Sequence, residues 1–485
     1  MKSAAQRHAL GILMPGFTGT ELPQWMATLL REGLGGVCLS GTGVCSAEDL
    51  ATLTAAIYDA RPQAIIAIDV AGDGTGCGLS PAAAFPGNAV LGRIDDVATT
   101  LDVATQLGGG LAAAGIRLVL APEIDITPEA GNPVSGVHSF GSQPDRVARH
   151  VTAWIDGIRT TGVAACVKHF PGHGDASSQA PVAEPMVLRD AVTIASHDLP
   201  PLRAALRAGA EAVMTSHIYI PAYDASNLTT LSPAILGGVL RAALGFRGVI
   251  VADELDQIGA SGETGTAEAA VRAVSAGCDL LRVDAQTTEE QIRLITHTLA
   301  EAHDQGRLPA RRLADAALRC EGLAETLTSY STWSLPPVPD LPVLTPGRVA
   351  ASFTVSQKAR EVLGRLPAEW VLIEPGLDQR PSTAAWGPCF DGGATPTLVV
   401  PATDRALASR YTPTPGALTM ILGKELHRDP EALAAARSLA QRSGGLIVDL
   451  GFADESAVDI ATFGASRLVG QALLGLTERP VPQPT

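Results

Sequence analysis

The chain is poor in aromatic side chains, which make up 4% of its 485 residues, and short of basic ones, with 35 Lys and Arg against 50 Asp and Glu. The resulting net charge of -15 excludes a nucleic-acid footprint, which depends on clustered cations that displace counterions from phosphates. Acidity of this kind favours solubility and says little else. Cysteine is scarce as well: seven residues, an odd number, scattered through apolar runs such as GGVCLS, AACVKHF and AGCDLL. That pattern argues against a disulfide framework and for small buried thiols in a reducing compartment. The opening MKSAAQRHALGILMPGFTGTELP has only a few apolar residues before Pro15 and Gly16. It is too short for a signal-peptide core or a membrane span, so the expectation is a cytoplasmic protein with no membrane partner.

Against these absences, 46% of the residues are hydrophobic and 50 are Gly, a balance that suits helices packed on a parallel sheet. Apolar runs bounded by turn residues recur at 9–14, 35–40, 64–69, 116–121, 163–169, 211–216, 248–253 and 279–283. Amphipathic stretches such as AEDLATLTAAIYDA and PLRAALRAGA separate them. Eight β-then-α units over about 310 residues predict a (β/α)8 TIM barrel, with a doubly wound open sheet as the alternative. Residues 1–332 are assigned to the barrel, 333–345 to a Pro-rich connector and 346–485 to a smaller α/β domain. The last region carries strand-like EWVLIEP, TLVVPA, ALTMILG and GGLIVDLG between helical segments.

In such a barrel the chemistry sits where the strands end, because the loops that follow them build the site. The predicted strand ends carry Asp69, Glu123, Asp125, Lys168, His169, His217, Asp253, Glu254 and Asp284. An isolated Asp after a strand is commonly a helix cap; the convergence of this set is what points to a site. His169 and His173 are four apart, but Pro171 and Gly172 break any helix between them and no third ligand has metal-like spacing, so no metal is expected. DVAGDGTGCG and HGD lack the spacings of nucleotide cradles, and no G-x-S-x-G elbow surrounds Ser216 and His217.

GFTGTELPQWMATLLREGLGGVCLSGTGV near the start, KHFPGHGD at 168–175, AVMTSHIYIPAYD at 212–224, LSPAILGGVLRAALGFRGVIVADELDQIGA at 231–260 and AVSAGCDLLRV at 273–283 together resemble family 3 glycoside hydrolases, in the β-N-acetylglucosaminidase branch. The resemblance implies retaining hydrolysis of a β-linked sugar with no cofactor, and Asp253 in VIVADEL matches the position of the nucleophile. Glu254 is the less favoured neighbour. Lys168, His169 and Asp69 match positions that hydrogen-bond sugar hydroxyls, and His138 and His217 join them as substrate-binding candidates.

The chain departs from the family where the acid/base belongs. After K-H-F-P-G-H-G-D the branch continues into Asp-Ser-His, whereas this chain places Gln179, Ala180 and Pro181 there, none of which transfers a proton at ordinary pH. Val70-Ala71-Gly72-Asp73-Gly74 replaces Gln-Glu-Gly-Gly-Arg, and His138 stands where an Arg precedes Ser-Phe-Gly. Three readings follow: a glycosidase of altered specificity, a non-catalytic sugar-binding or regulatory protein on the same fold, and an ordinary acetylglucosaminidase whose acid lies elsewhere. For a substitute acid/base the candidates are His173 and Asp175 in the same loop, His138, His197, or a Glu from the second domain. The partner expected is a carbohydrate or glycoside, and a homodimer is compatible with this plan.

Overall fold

The structure, a computed structural model, describes residues 2–39, 46–72, 85–127, 136–173, 185–257, 262–309, 311–330, 343–374, 387–389, 393–451 and 457–478. Asp175, Gln179 to Pro181, Asp73, Gly74 and most of the predicted connector lie outside these residues.

Eight parallel strands form the first sheet: β1 (Leu13–Pro15), β2 (Gly36–Leu39), β3 (Ile65–Asp69), β4 (Leu118–Leu120), β5 (Ala164–Phe170), β6 (Ala212–Thr215), β7 (Val249–Ala252) and β8 (Leu280–Val283). Ladder bonds run in the order β1-β8-β7-β6-β5-β4-β3-β2, and β1 packs against β2 to complete the ring. This is the (β/α)8 barrel, and the open-sheet alternative is set aside. Gly35 makes the seam between β1 and β2 close, because a Cβ there would collide with the carbonyl oxygen of Gly11.

One expectation is corrected at the start of the chain. The apolar run 9–14 predicts the first strand, but Ala4–Gly11 is a helix and β1 begins at Leu13. A capping box explains it: Ser3 accepts from the Gln6 amide, the Gln6 side chain returns to the Ser3 amide, and Ala5, Ala9 and Leu10 form a buried face.

The second sheet has six strands, all after residue 353: β9 (Thr354–Val355), β10 (Ala368–Ile373), β11 (Leu398–Val400), β12 (Leu418–Gly423), β13 (Leu446–Asp449) and β14 (Ile460–Ala461), in the order β9-β14-β13-β12-β10-β11. Only β9 runs antiparallel to its neighbour. Alternation along the strands splits its packing: Met420, Leu422, Leu446 and Val448 join the core shared with the barrel, while Ile421 and Ile447 face a separate cluster with Ala432, Ala436 and Leu439 of the helix Pro430–Ser443. Polar contacts reinforce the shared core. Arg93 donates to the Ser352 carbonyl at 2.8 Å and lies 3.8 Å over the Phe463 ring, and Ser466 donates to the Pro86 carbonyl.

Candidate active site

The barrel brings the predicted residues to one mouth because each stands at or just beyond the carboxyl end of its strand. Asp69 ends β3 and Asp253 follows β7 directly. The register of β5 with β6 shifts between Val167 and Phe170, and Lys168 bridges instead to Glu123: its amide donates to the Pro122 carbonyl while its own carbonyl accepts from Ile124. Lys168 and Glu123 are thereby held on the same rim.

Lys168 donates to Asp69 and lies 3.5 Å from Glu123. Glu123, 3% exposed, is further satisfied by the Gly72 amide and the Asn88 side chain, both at 3.1 Å. Burial works against the Lys168 charge, but Asp69 and Glu123 outweigh it and hold the ammonium above its ordinary range. Burial likewise works against the Asp69 carboxylate, and Lys168 and Arg282 hold it well below the usual range. Gly72 cannot be larger: a Cβ would stand 2.5 Å from the His138 carbonyl and 2.6 Å from Glu123 Oε2.

A second group sits beside the first. His169 Nδ1 lies 2.9 Å from Asp125 Oδ2, and the other oxygen of Asp125 accepts from the His173 amide at 2.6 Å. Burial lowers the His169 pKa, yet Asp125 overcomes it and favours the imidazolium. His173 is pushed down to about 4, by burial first and by the His169 charge second. One ligand atom from each of Asp125, His169 and His173 falls within 4.8 Å of the others. The third ligand that sequence spacing failed to find is thus supplied by the β4 loop, although the His169–Asp125 hydrogen bond accounts for the arrangement without an ion.

Asp253, part-buried, stands beside both groups. Burial raises its carboxyl; Arg282, His169 and His217 together with the Glu254 amide outweigh this and keep it below the usual carboxylate range. Glu254 goes the other way, raised by burial and by the charges of Asp253 and Asp284 against the pull of Arg282. Arg282 on β8 joins the set, with Nη1 3.1 Å from Asp69 and 3.1 Å from Asp253, and Nη2 2.9 Å from Glu254. Sequence reasoning missed Arg282. The signal was present, since a charge inside the otherwise apolar strand LLRV needs a partner in a sheet buried on both faces.

Other candidates take different places. Both ring nitrogens of His217 are used by the protein: Nε2 lies 3.0 Å from the Glu254 carbonyl and Nδ1 2.9 Å from the Thr230 hydroxyl. Ser216 donates to the Phe170 carbonyl, so no nucleophilic Ser–His pair forms. His138 ends a single 3-10 turn, with Nδ1 3.8 Å from Glu123. His197 pairs with Arg189 and Asp198 ahead of the helix Leu199–Arg207. Asp284 forms a turn, accepting from the Gln286 amide. From the second sheet, Glu425 follows β12 and places Oε1 3.3 Å from where a Gly136 Cβ would stand, next to His138.

Residues 20–323 match the glycosyl hydrolase family 3 N-terminal domain. A β-hexosaminidase of Neisseria meningitidis is 35% identical over 264 residues, covering 53% of this chain and 72% of that protein. NagZ of Neisseria gonorrhoeae, solved with N-trifluoroacetyl-D-glucosamine, is 28% identical with a TM-score of 0.54, covering 65% of this chain and 98% of its own. A family 3 β-N-acetylglucosaminidase from a Paenibacillus species shares the fold over 99% of this chain and 98% of its own, with a TM-score of 0.80 at 24% identity. With the match spanning most of the barrel, the chain belongs to glycosyl hydrolase family 3.

Proposed function

We propose that this protein is a retaining glycosidase that hydrolyses β-N-acetylhexosaminides, with Asp253 as nucleophile and with proton transfer altered from the family's usual form. The observation that carries the reading is the environment of Asp253: a part-buried carboxylate kept ionised by Arg282, next to the Lys168–Asp69 pair and the His169 imidazole. The activity named for the Neisseria relatives supports the substrate class.

In the first half-reaction an Asp253 oxygen bonds to the anomeric carbon while the bond to the aglycone oxygen breaks and its electron pair leaves with the aglycone. In the second, water attacks the same carbon, the sugar–Asp253 bond breaks and the carboxylate is restored. Lys168, Asp69 and His169 orient the ring hydroxyls through charge-assisted hydrogen bonds. His173, held below the ordinary imidazole range by burial and by the His169 charge, is a poor proton donor to the aglycone at neutral pH. Gln179, Ala180 and Pro181 supply no proton. Substrates whose aglycone leaves as a stable anion are therefore favoured, since unassisted departure forfeits about 10²–10⁴-fold for a poor leaving group.

A barrel at 1–332, a connector at 333–345 and a smaller domain at 346–485 complete the proposal. A cytoplasmic location is proposed on the five described cysteines, all free and four of them buried. Among the described residues no helix is long and apolar enough to cross a membrane. A homodimer is an open proposal for sedimentation analysis.

The test compares aryl N-acetyl-β-glucosaminides, glucosides and xylosides having good and poor leaving groups, with Asp253→Ala as control. A steep dependence on leaving-group acidity that vanishes in the variant is expected. No turnover of any member would remove the reading and favour a sugar-binding role.

A further inference from the structure

Arg282 stands between the two carboxylates on which the chemistry turns. It projects from β8, 9% exposed, and its one Nη1 is shared between Asp69 and Asp253 while Nη2 holds Glu254. The titratable groups around it are Cys38 from β2, Asp69 from β3, Cys166 and Lys168 from β5, and Asp253, Glu254 and Asp256 from β7 and its loop. Three of these carboxylates lie within salt-bridge distance, so the guanidinium keeps two anionic partners even when Asp253 is esterified and neutral. It stays in position to receive the carboxylate when the ester opens, with no reorganisation at that moment.

The consequence differs between the two half-reactions. A carboxylate paired with a guanidinium is a weaker nucleophile, but it is a better leaving group from an acylal-type glycosyl ester. Where a general base activates water, the second step has help from the water side. Here Gln179, Ala180 and Pro181 occupy the places at which the resemblance puts that base.

We propose that Arg282 is a positioning residue whose salt bridge to Asp253 drives release of that carboxylate from the glycosyl-enzyme, doing part of what a general base does elsewhere. The inference rests on Asp253 being the nucleophile. In the step, a water oxygen bonds to the anomeric carbon, the bond from that carbon to the Asp253 oxygen breaks with its electron pair returning to the carboxylate beside Arg282, and the water proton passes to bulk solvent.

The experiment is stopped-flow release of phenolate from 2,4-dinitrophenyl N-acetyl-β-glucosaminide by the full chain, with intact-protein mass spectrometry of quenched samples. Arg282→Gln is expected to show a burst of about one phenolate per enzyme, a glycosyl-enzyme adduct, and steady turnover lowered about 10²-fold, the scale of removing one preorganised electrostatic partner. The acid limb of kcat/KM is expected to move to higher pH, since Asp253 loses a neighbouring cation. Arg282→Lys should give a smaller burst and partial recovery. A slower first step with no adduct in either variant would overturn the proposal, as would unchanged kinetics. Should the Gln variant fail to fold by circular dichroism, the Lys variant decides by presence or absence of the adduct. A wild-type protein that turns over no glycoside, or an Asp253→Ala variant as active as wild type, would instead overturn the nucleophile assignment and this inference with it.

Discussion

His217 Nε2 lies 3.0 Å from the backbone carbonyl of Glu254, so a histidine after β6 holds the loop that presents Asp253. Burial lowers its pKa, its Nε2–H donates to that carbonyl, and its Nδ1 lies 2.9 Å from the Thr230 hydroxyl, which itself donates to the Ser216 carbonyl. His217 therefore acts through the nucleophile's position. His217→Ala is expected to lower kcat by about 10²-fold, the scale of a displacement near 1 Å in a reacting group, with KM little changed. A rise in KM alone, measured in steady state, would instead assign the ring to sugar binding.

Removing the Lys168 ammonium exposes the cost of the anions around it. Lys168→Met takes from Asp69 a directly bonded cation and from Glu123 its nearest one. Breaking a buried pair from one side typically costs about 3–5 kcal/mol. Urea unfolding should show a loss of that size together with a raised KM.

The Asp125–His169 pair predicts a bounded pH window. The folded His169 pKa is raised above its ordinary 6.5, so its contribution is complete below 6.5 and is lost as pH rises through the folded value. The folded Asp125 pKa is lowered from 3.8, so its contribution is complete above 3.8 and is lost as pH falls through the folded value. The stability gap between wild type and His169→Gln should be largest between these two ordinary values and shrink above them, a trend that thermal melts from pH 4 to 9 would read directly.

Gly72→Ala tests the cradle under Glu123. A methyl group there meets the His138 carbonyl, the Asn88 amide and Glu123, the first fixed by the backbone and the other two buried. The expected result is a loss of about 1–3 kcal/mol from overpacking and a marked fall in kcat/KM. An unperturbed enzyme would mean that this rim yields easily.

The barrel was legible in the sequence because a strand buried on both faces must be apolar along its length, and eight such runs separated by helical periodicity leave few arrangements. The second sheet was legible for the same reason in EWVLIEP, ALTMILG and GGLIVDLG. The helix at Ala4–Gly11 was hidden because its last residues merge into the apolar run that feeds β1, and only the Ser3–Gln6 cap separates them. Asp69, Lys168, His169 and Asp253 could be singled out by their places at strand ends. Their partners could not: Asp125 lies 44 residues from His169, and Arg282 lies 29 from Asp253. Sequence periodicity records which face a residue turns to, whereas an ion pair needs two side chains at about 3 Å. That distance was decided by the closing of the barrel, and the packing of the second sheet against the barrel put Glu425 beside Gly136. The sequence by itself determined the elements and the chemistry available; only the tertiary structure decided which charges neutralise one another, because the strands that carry them meet through long-range packing.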